Sequence, residues 1–404
     1  MDFEFVFPAL VAGRFLLALA PFPGSLKHDH QLSSPLTSYP RLQEGVYLFQ
    51  HGVDPYSGGL FRHSPLLLSL FSTAIPLQRH VSAFLWTASD AVAAWALVKI
   101  WRSRKKLQSS SRDGLIAAMY LLNPYIFFPT LALSTSTFEN MLYLLSVMFA
   151  CQGQVSASLL ALAFLVQLSI PSIIFLLPIT LLLITSPISY LAAPKLFTAD
   201  LRKTIPILLE FLVYSTVLTF ASTLACGSWS WVAQSWGAVF GLPDLTPNPG
   251  LWWYFFTEMF DHFRPFFLMV FSVHLLIYML PMCIKFQHDI LYAIFLLSGV
   301  MATFKAYPTL SDPGLFLSMM TLFPEVYPYL RHPIVTTFLH LHAALLLPLF
   351  HHLWLSQGTG NANFFYASTL VFGMANGAAL LDAIWAGLRI AIGKLPDGAE
   401  AVQE

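Results

Sequence analysis

Charged residues are scarce in this chain of 404 residues. Asp, Glu, Lys and Arg make up 10% of the sequence, against about 25% in a typical soluble domain. Hydrophobic residues make up 57%, and the mean hydropathy is +0.68. The 20 basic and 20 acidic residues cancel, which argues against nucleic acid as a partner. The composition excludes an ordinary soluble domain and predicts an all-α, polytopic membrane protein.

Cysteines and catalytic motifs are also few. Cys151, Cys226 and Cys283 lie in or beside apolar runs, without a C-x-x-C spacing, so we expect small core residues rather than a disulfide framework. The G-x-x-x-x-G-K-[ST], H-E-x-x-H and G-x-S-x-G motifs are absent, and no cysteine with a facing histidine lies outside the predicted spans. We therefore predict no catalytic residue, no cofactor and no bound metal.

Apolar runs long enough to cross a bilayer recur along the chain. A spanning helix needs about 20 such residues, which predicts about twelve transmembrane helices in a single integral membrane domain, 1–404. The predicted spans are 3–21, 81–101, 114–132, 138–152, 155–170, 172–190, 205–226, 263–284, 288–305, 314–330, 334–354 and 364–388. A shorter run at 64–77 is predicted to be interfacial or re-entrant. The acidic start and the absence of a small-residue cleavage site favour a retained first span over a signal peptide.

Basic residues predict the orientation of these spans. Most lysines and arginines, including the RSRKK cluster at 102–106, lie on one face if both termini and the tail 389–404 are cytosolic. The opposite face then receives four polar segments: the first loop 22–80 with its interfacial elements, the loop 227–262, the turn 306–314, and the segment 356–363. Because loops on a rigid scaffold carry binding residues disproportionately, this face is where we look for function.

The stretch GLPDLTPNPGLWWYFFTEMFDHF, residues 241–263, combines a stiff turn with an aromatic run. Three prolines and a glycine keep 243–250 out of a helix, which leaves polar side chains free to present their groups. These side chains are Asp244, Thr246 and Asn248. The aromatic residues behind them include Trp252, Tyr254 and Phe255. They predict either a membrane-interface belt or a contact surface for acyl chains and sugar rings.

The same stretch ends in an acidic cluster. Glu258, Asp261 and His262 share one face if the segment is helical. Such a trio could hold a divalent metal or supply a general base. The alternative is a solvated helix entry that contacts lipid headgroups and complements the helix dipole.

Further candidates are spread along the chain. Arg14 lies deep in the first predicted span, where an ionisable group marks a functional site unless it snorkels to the interface. The first loop carries chemically capable side chains at Asp54, Arg62 and His63 among tight turns. Asn361 and Asn363 precede the last span and could cap its helix or bind phosphate or sugar hydroxyls.

Five segments in order along the chain resemble the PIG-U subunit family of the GPI transamidase. They are EGVYLFQHGVDPYSGGLFRHSPLLL (44–68), LLNPYIFF (121–128), PDLTPNPGLWWYFFTEMFDHF (243–263), FKAYPTLSDP (304–313) and GNANFFYA (360–367). The resemblance implies a fold similar to GT-C glycosyltransferases, in the endoplasmic reticulum membrane. It also implies a noncatalytic subunit that binds the GPI glycolipid and presents it for attachment. A caspase-like partner subunit would supply the catalytic Cys and His, and membrane lipids and other subunits would surround the chain.

Two alternatives stay open beside this interpretation. The phrase DPYSGGLFRHSPLLL is also similar to a segment of the first GPI mannosyltransferase, so an active enzyme could use Asp29 or Glu44 as a base. The segment KHDHQLSSPLTSYPRLQEG (27–45) of the first loop has only these two widely spaced acids, however, where such enzymes use a closely placed pair. The other alternative is a purely structural subunit that holds its partners without touching lipid.

Overall fold

A computed structural model describes residues 3–20, 23–185, 187, 191–393 and 401. All regular secondary structure in these residues is helical, which confirms the predicted all-α class. Most of the predicted cytosolic tail, 394–400 and 402–404, lies outside the described residues, as do the last residue of the predicted span 3–21 and most of 186–190 at the end of the span 172–190.

Twenty α-helices form the described part of the chain. The first ten are α1 (Phe3–Ala18), α2 (Pro23–Leu26), α3 (Tyr39–Gln50), α4 (Pro65–Ser69), α5 (Arg79–Lys105), α6 (Asp113–Leu121), α7 (Pro124–Leu131), α8 (Ser136–Cys151), α9 (Val155–Leu168) and α10 (Leu176–Ile184). The second ten are α11 (Thr204–Cys226), α12 (Ser230–Gln234), α13 (Trp236–Gly241), α14 (Trp252–Thr257), α15 (Arg264–Ile277), α16 (Met279–Lys285), α17 (Ile290–Phe304), α18 (Ser311–Met319), α19 (Pro333–His351) and α20 (Ala362–Ile392). Short 3₁₀ and π segments extend several of them.

Each predicted span overlaps helix in the described residues, but only some of these helices are long enough to cross a bilayer unaided. Among the described residues five helical stretches are long and apolar enough to cross a membrane. They are Arg79–Lys105, Leu201–Cys226, Arg264–Lys285, Pro333–Ser356 and Ala362–Ile392. A bent pair of helices would make a sixth. The predicted count of about twelve is not confirmed, because several apolar runs fold as helices shorter than a bilayer requires.

The bent pair is α6 and α7, which meet at an angle of 53°. The break follows from Asn123 and Pro124: the proline disfavours helical backbone in the residue before it. The Asn123 side chain accepts a hydrogen bond from the Tyr125 amide at 3.0 Å and so caps α7. Its amide nitrogen donates to the Gly314 carbonyl at 3.0 Å, which fixes the break against α18.

The core lies around α17, whose residues from Ile290 to Thr303 are all buried. Helix α20 approaches α17 closely at Gly387, where a Cβ atom would lie 2.5 Å from the Tyr292 ring. The side chain of Arg14 does not snorkel to the membrane interface. It is buried, forms an ion pair with Asp90, and donates to the Leu121 carbonyl. The charge is therefore neutralised within the fold.

The long apolar helices differ sharply in how much of their surface is buried inside the chain. In α5, 61% of the most apolar stretch is buried inside the chain, whereas the corresponding shares are 17% in the α11 stretch and 11% in α15–α16. The predicted interfacial run at 64–77 forms α4 and a π-helical turn, Leu70–Ala74, which pack near α3 and α11.

Candidate functional site

The four polar segments predicted for one face do meet in space. Arg41 of the first loop forms an ion pair with Asp244 of the turn at 2.8 Å. The Asp244 amide donates to the Tyr307 hydroxyl at 3.2 Å. The Tyr254 hydroxyl donates to the Asn363 side-chain oxygen. These contacts link the first loop, the turn 242–251, the segment 304–313 and the start of α20 into one surface.

Asp244 is the electrostatic centre of the turn. Its carboxylate accepts hydrogen bonds from the amide and the hydroxyl of Thr246 and pairs with Arg41. Burial alone would raise the pKa of Asp244, but the Thr246 hydrogen bonds and the Arg41 guanidinium lower it below its ordinary value. Asp244 therefore carries a negative charge at neutral pH while remaining partly exposed.

Asn248 holds the turn together from inside. It is buried, its amide nitrogen donates to the Thr246 carbonyl at 3.1 Å, and its oxygen accepts from the Gly250 amide at 2.9 Å. Gly250 has no room for a side chain, because a Cβ atom would lie 2.5 Å from Pro308. The polar groups of Asn248 are thus satisfied within the turn, and Asp244 and Thr246 are its more exposed polar members.

The aromatic run forms the short helix α14 and lines an apolar cavity. Trp252 is buried and donates from its indole nitrogen to the Phe304 carbonyl at 3.0 Å. Trp252 and Phe255 line a cavity of about 310 Å³ whose other walls come from α15 and α20. Phe255 also stacks on Phe271 with ring centroids 5.1 Å apart. The cavity has the size and lining of an acyl-chain contact rather than of a polar active site.

Tyr254 and the start of α20 form the polar edge beside this cavity. The Tyr254 ring lies 4.6 Å from the Tyr366 ring, and its hydroxyl meets exposed Asn363. Asn361 caps α20, because its side-chain oxygen accepts from the Phe364 amide at 3.2 Å. The predicted capping role is confirmed for Asn361, while Asn363 is exposed.

The acidic cluster does not form the arrangement that a metal or base would need. Helix α14 ends at Thr257 and α15 begins at Arg264, so the intervening segment is not helical and the shared face does not form. Glu258, Asp261 and His262 are all exposed. Within the described residues no group of three or more His, Cys, Asp or Glu side chains could hold a metal ion.

The secondary candidates of the first loop are tied into its structure. Asp54 is exposed and accepts from the Tyr56 amide at 2.9 Å in a local turn. Arg62 is buried and donates to the Gln234 carbonyl at 3.2 Å. His63 is buried with its Nε2 atom 2.9 Å from the Ser38 carbonyl oxygen, and burial lowers its pKa to about 4. These contacts stabilise the loop against α3 and α12.

The two acids of the enzyme alternative also have local roles. Asp29 accepts a hydrogen bond from the Gln31 amide at 2.8 Å. Glu44 is exposed on α3.

Two groups of residues at this face were not predicted as site residues. Arg41 and Tyr307 hold Asp244, yet they lie far from it in sequence. Behind the face Lys305 pairs with Glu139 at 3.0 Å and with Asp312 at 2.9 Å. Lys305 is buried, and the two carboxylates are half-buried. The only local signal for this cluster is charge within or beside apolar runs.

A larger apolar groove of about 670 Å³ lies away from these residues, between α4, α5, α8 and α9. Its walls include Leu67, Phe71 and Phe138. None of the predicted site residues lines it.

Comparison with known proteins places the chain in a family. The family model described as GPI transamidase subunit PIG-U matches residues 8–372. The chain is 34% identical over 372 residues to the GPI transamidase component GAB1 of Saccharomyces cerevisiae, covering 90% of this chain and 89% of that protein. It is 30% identical over 418 residues to the GPI-anchor transamidase component PIGU of Homo sapiens, covering 94% and 91%. Together with the helical fold and the matching segments at the loop face, this similarity establishes that the chain belongs to the family of the GPI transamidase subunit PIG-U.

Proposed function

We propose that this chain is a noncatalytic subunit of a GPI transamidase complex in the endoplasmic reticulum membrane. In this role it binds the GPI glycolipid and presents it for attachment to precursor proteins. A caspase-like partner subunit would supply the catalytic Cys and His, and the loop face would be lumenal, with both termini in the cytosol. The proposal needs no cofactor on this chain.

One observation supports the site more than any other. The Tyr254–Asn363 contact joins two segments that are distant in sequence. The Tyr254 ring also lies 4.6 Å from the ring of Tyr366, which lines the cavity together with Trp252 and Phe255. A glycolipid needs polar partners for its glycan and phosphates next to an apolar receptor for its acyl chains. Helix α14 and the start of α20 together offer both the polar and the apolar groups.

The residues divide into two roles. Asn363, Tyr254 and Asp244 offer exposed or partly exposed acceptors and donors for sugar hydroxyls or the ethanolamine group. Trp252 and Phe255 receive acyl chains in the cavity. Asn248 and Asn361 stabilise the turn and the helix start, so their replacement would act through the position of their neighbours.

The test combines anchoring with lipid capture. In cells that depend on this chain, Asn363→Ala with Tyr254→Phe should lower the amount of an anchored reporter at the cell surface several-fold. Crosslinking of a photoreactive GPI analogue to the isolated complex should fall in parallel. Complete GPI precursors should accumulate, because their synthesis does not require attachment. The matched control is Gln152→Ala with Gln154→Ala, two exposed amides on a loop that is predicted to be cytosolic.

Each alternative has its own outcome in this experiment. Truncated GPI precursors after Asp29→Asn or Glu44→Gln would favour an active mannosyltransferase and contradict the proposal. Normal anchoring and normal GPI crosslinking in the Asn363 and Tyr254 variant, at wild-type expression, would contradict the site. Loss of anchoring together with loss of complex assembly would favour a purely structural subunit.

A further inference from the structure

Helix α11 carries one carboxyl group far inside its membrane-length stretch. Glu210 is the only acidic residue of Leu201–Cys226, a helical stretch that is long and apolar enough to cross a membrane. At 1.5 Å per residue Glu210 lies about 14 Å along the helix from Leu201 and only about 5 Å from the midpoint. With a hydrocarbon core about 30 Å thick, this position falls among the acyl chains.

The carboxyl group has little support from its own chain. The Tyr214 hydroxyl donates to one Glu210 oxygen at 2.9 Å. The other oxygen has no hydrogen-bond partner among the described residues, and Glu210 forms no ion pair with them. Arg202 and Lys203, the nearest basic residues along the helix, are exposed and do not reach it. An ionisable group at this depth is costly, and it normally finds a partner.

The flank that carries Glu210 is open. The opposite side of α11 packs on α9, where Gln167 donates to the Thr219 hydroxyl at 3.0 Å. Val217, two helical turns from Glu210 and on the same flank, has 59% of its surface exposed. Lipid tails could cover such an apolar face, but they offer no hydrogen-bond donor to a carboxyl group.

We propose that a transmembrane helix of another subunit of the complex covers this flank of α11. That helix presents a basic side chain, Lys, Arg or His, at the depth of Glu210. Relatives of this chain are named as components of a transamidase, so such subunits exist for the family. The acidic group selects the sign of its partner, because an oppositely charged side chain removes the cost of a buried carboxylate.

Photocrosslinking within the assembled complex tests the interface. Val217→benzoylphenylalanine should form an adduct with one membrane subunit of the complex, identified by mass spectrometry. Leu212→benzoylphenylalanine is the matched control, since Leu212 is similarly exposed, at 60%, on the other flank. Glu210→Leu should reduce the Val217 adduct and the coisolation of that subunit by about tenfold, which corresponds to about 1.4 kcal/mol. Glu210→Gln, which keeps a hydrogen-bonding group, should lose less.

A second measurement separates the interface from internal folding. In the chain purified alone, Glu210→Leu should leave the melting temperature unchanged or raise it, because an unpaired carboxyl group is removed from an apolar face. Adducts with lipid alone, an adduct insensitive to Glu210→Leu, or a lower melting temperature of the isolated variant would each overturn the proposal. GPI crosslinking to residues of the loop face reports the glycolipid site separately.

Discussion

Two clusters of charged side chains, one behind the loop face and one at it, both consist of ion pairs but differ in their surroundings. The inner cluster consists of Lys305, Glu139 and Asp312, with side chains that are 8%, 12% and 14% exposed. The rim pair consists of Arg41 and Asp244, at 24% and 14%. The shortest nitrogen–oxygen distances are alike, 2.9 Å and 2.8 Å. Distance alone therefore does not distinguish a structural cluster from a binding surface.

The two clusters differ in whether their charged groups remain accessible to a ligand. The Lys305 ammonium pairs with two carboxylates, and the cavities on either side of it, about 30 and 10 Å³, are at most water-sized. The Arg41 guanidinium lies at a partly exposed edge and also donates to the Leu60 carbonyl at 3.1 Å. Satisfied, enclosed charges stabilise the fold, whereas partly exposed ones can exchange solvent for a bound headgroup.

Lys305→Met gives the sharpest test of the inner cluster. Removing the buried cation leaves two half-buried carboxylates without compensation, which costs up to about 3–5 kcal/mol, the range for a broken buried pair. We expect a large drop in the melting temperature of the detergent-solubilised chain, or loss of the folded protein. Lys285→Met is the control, because Lys285 is exposed and forms no ion pair with the described residues.

If Lys305→Met unfolded as the wild type does, the inner cluster would not be structural, and the contrast with the rim pair would disappear. A double variant, Lys305→Met with Glu139→Gln, should recover part of the lost stability because one uncompensated carboxylate is removed.

His63 tests a titratable group that is more deeply buried than either cluster, with 2% of its surface exposed. Because its pKa is lowered to about 4 in the fold, the unfolded chain binds the proton more readily. The contribution of neutral His63 to the free energy of unfolding should therefore be fully present above pH about 6.5. It should be lost as pH falls toward 4, by at most about 3 kcal/mol. Melting temperatures at pH 7 and pH 5 measure the loss.

His63→Phe should be less stable at pH 7, because the hydrogen bond to Ser38 is lost, but it should show a flatter pH profile. His28→Gln at an exposed position should keep the wild-type profile. An unchanged profile in His63→Phe would mean that another group causes the acid sensitivity.

Arg41→Ala should have the smallest effect on stability. The rim pair is partly exposed, so its loss should cost at most about 1 kcal/mol. Since the pKa of Asp244 is lowered in the fold, the contribution of this carboxylate is present above its ordinary pKa and lost as pH falls through the lowered value. Unfolding in denaturant at pH 7 and pH 3 checks both statements. A larger loss than for Lys305→Met would reverse the comparison.

The sequence predicts what depends on composition and local pattern. Low charge and apolar runs predict helices, and the Asn361 cap follows from an asparagine directly before an apolar helix. The parity of the spans predicts that the four loops share a face, as the Arg41–Asp244 and Tyr254–Asn363 contacts bear out. The aromatic run predicts an interface belt or a lipid contact surface, and the structure places Trp252 and Phe255 in the wall of a cavity.

The sequence did not predict contacts between segments that are distant along the chain. Glu139 and Lys305 each look like an isolated charge near an apolar run, and only the fold brings them within 3.0 Å. The predicted count of about twelve spans stays unconfirmed, because hydropathy does not reveal where an apolar run breaks, as it does at Asn123. The prediction that Glu258, Asp261 and His262 share one face assumed that the segment is helical. Helix α14 ends at Thr257, one residue before Glu258.

The close approach of Gly250 to Pro308 has a consequence for binding. Together with the Asp244–Tyr307 and Trp252–Phe304 hydrogen bonds, it fixes the turn to the segment that begins next to Lys305. A turn that is already fixed loses little conformational entropy when a ligand orders its surface. If the proposed glycolipid binds at this turn, its headgroup contacts therefore carry little cost for ordering the loop.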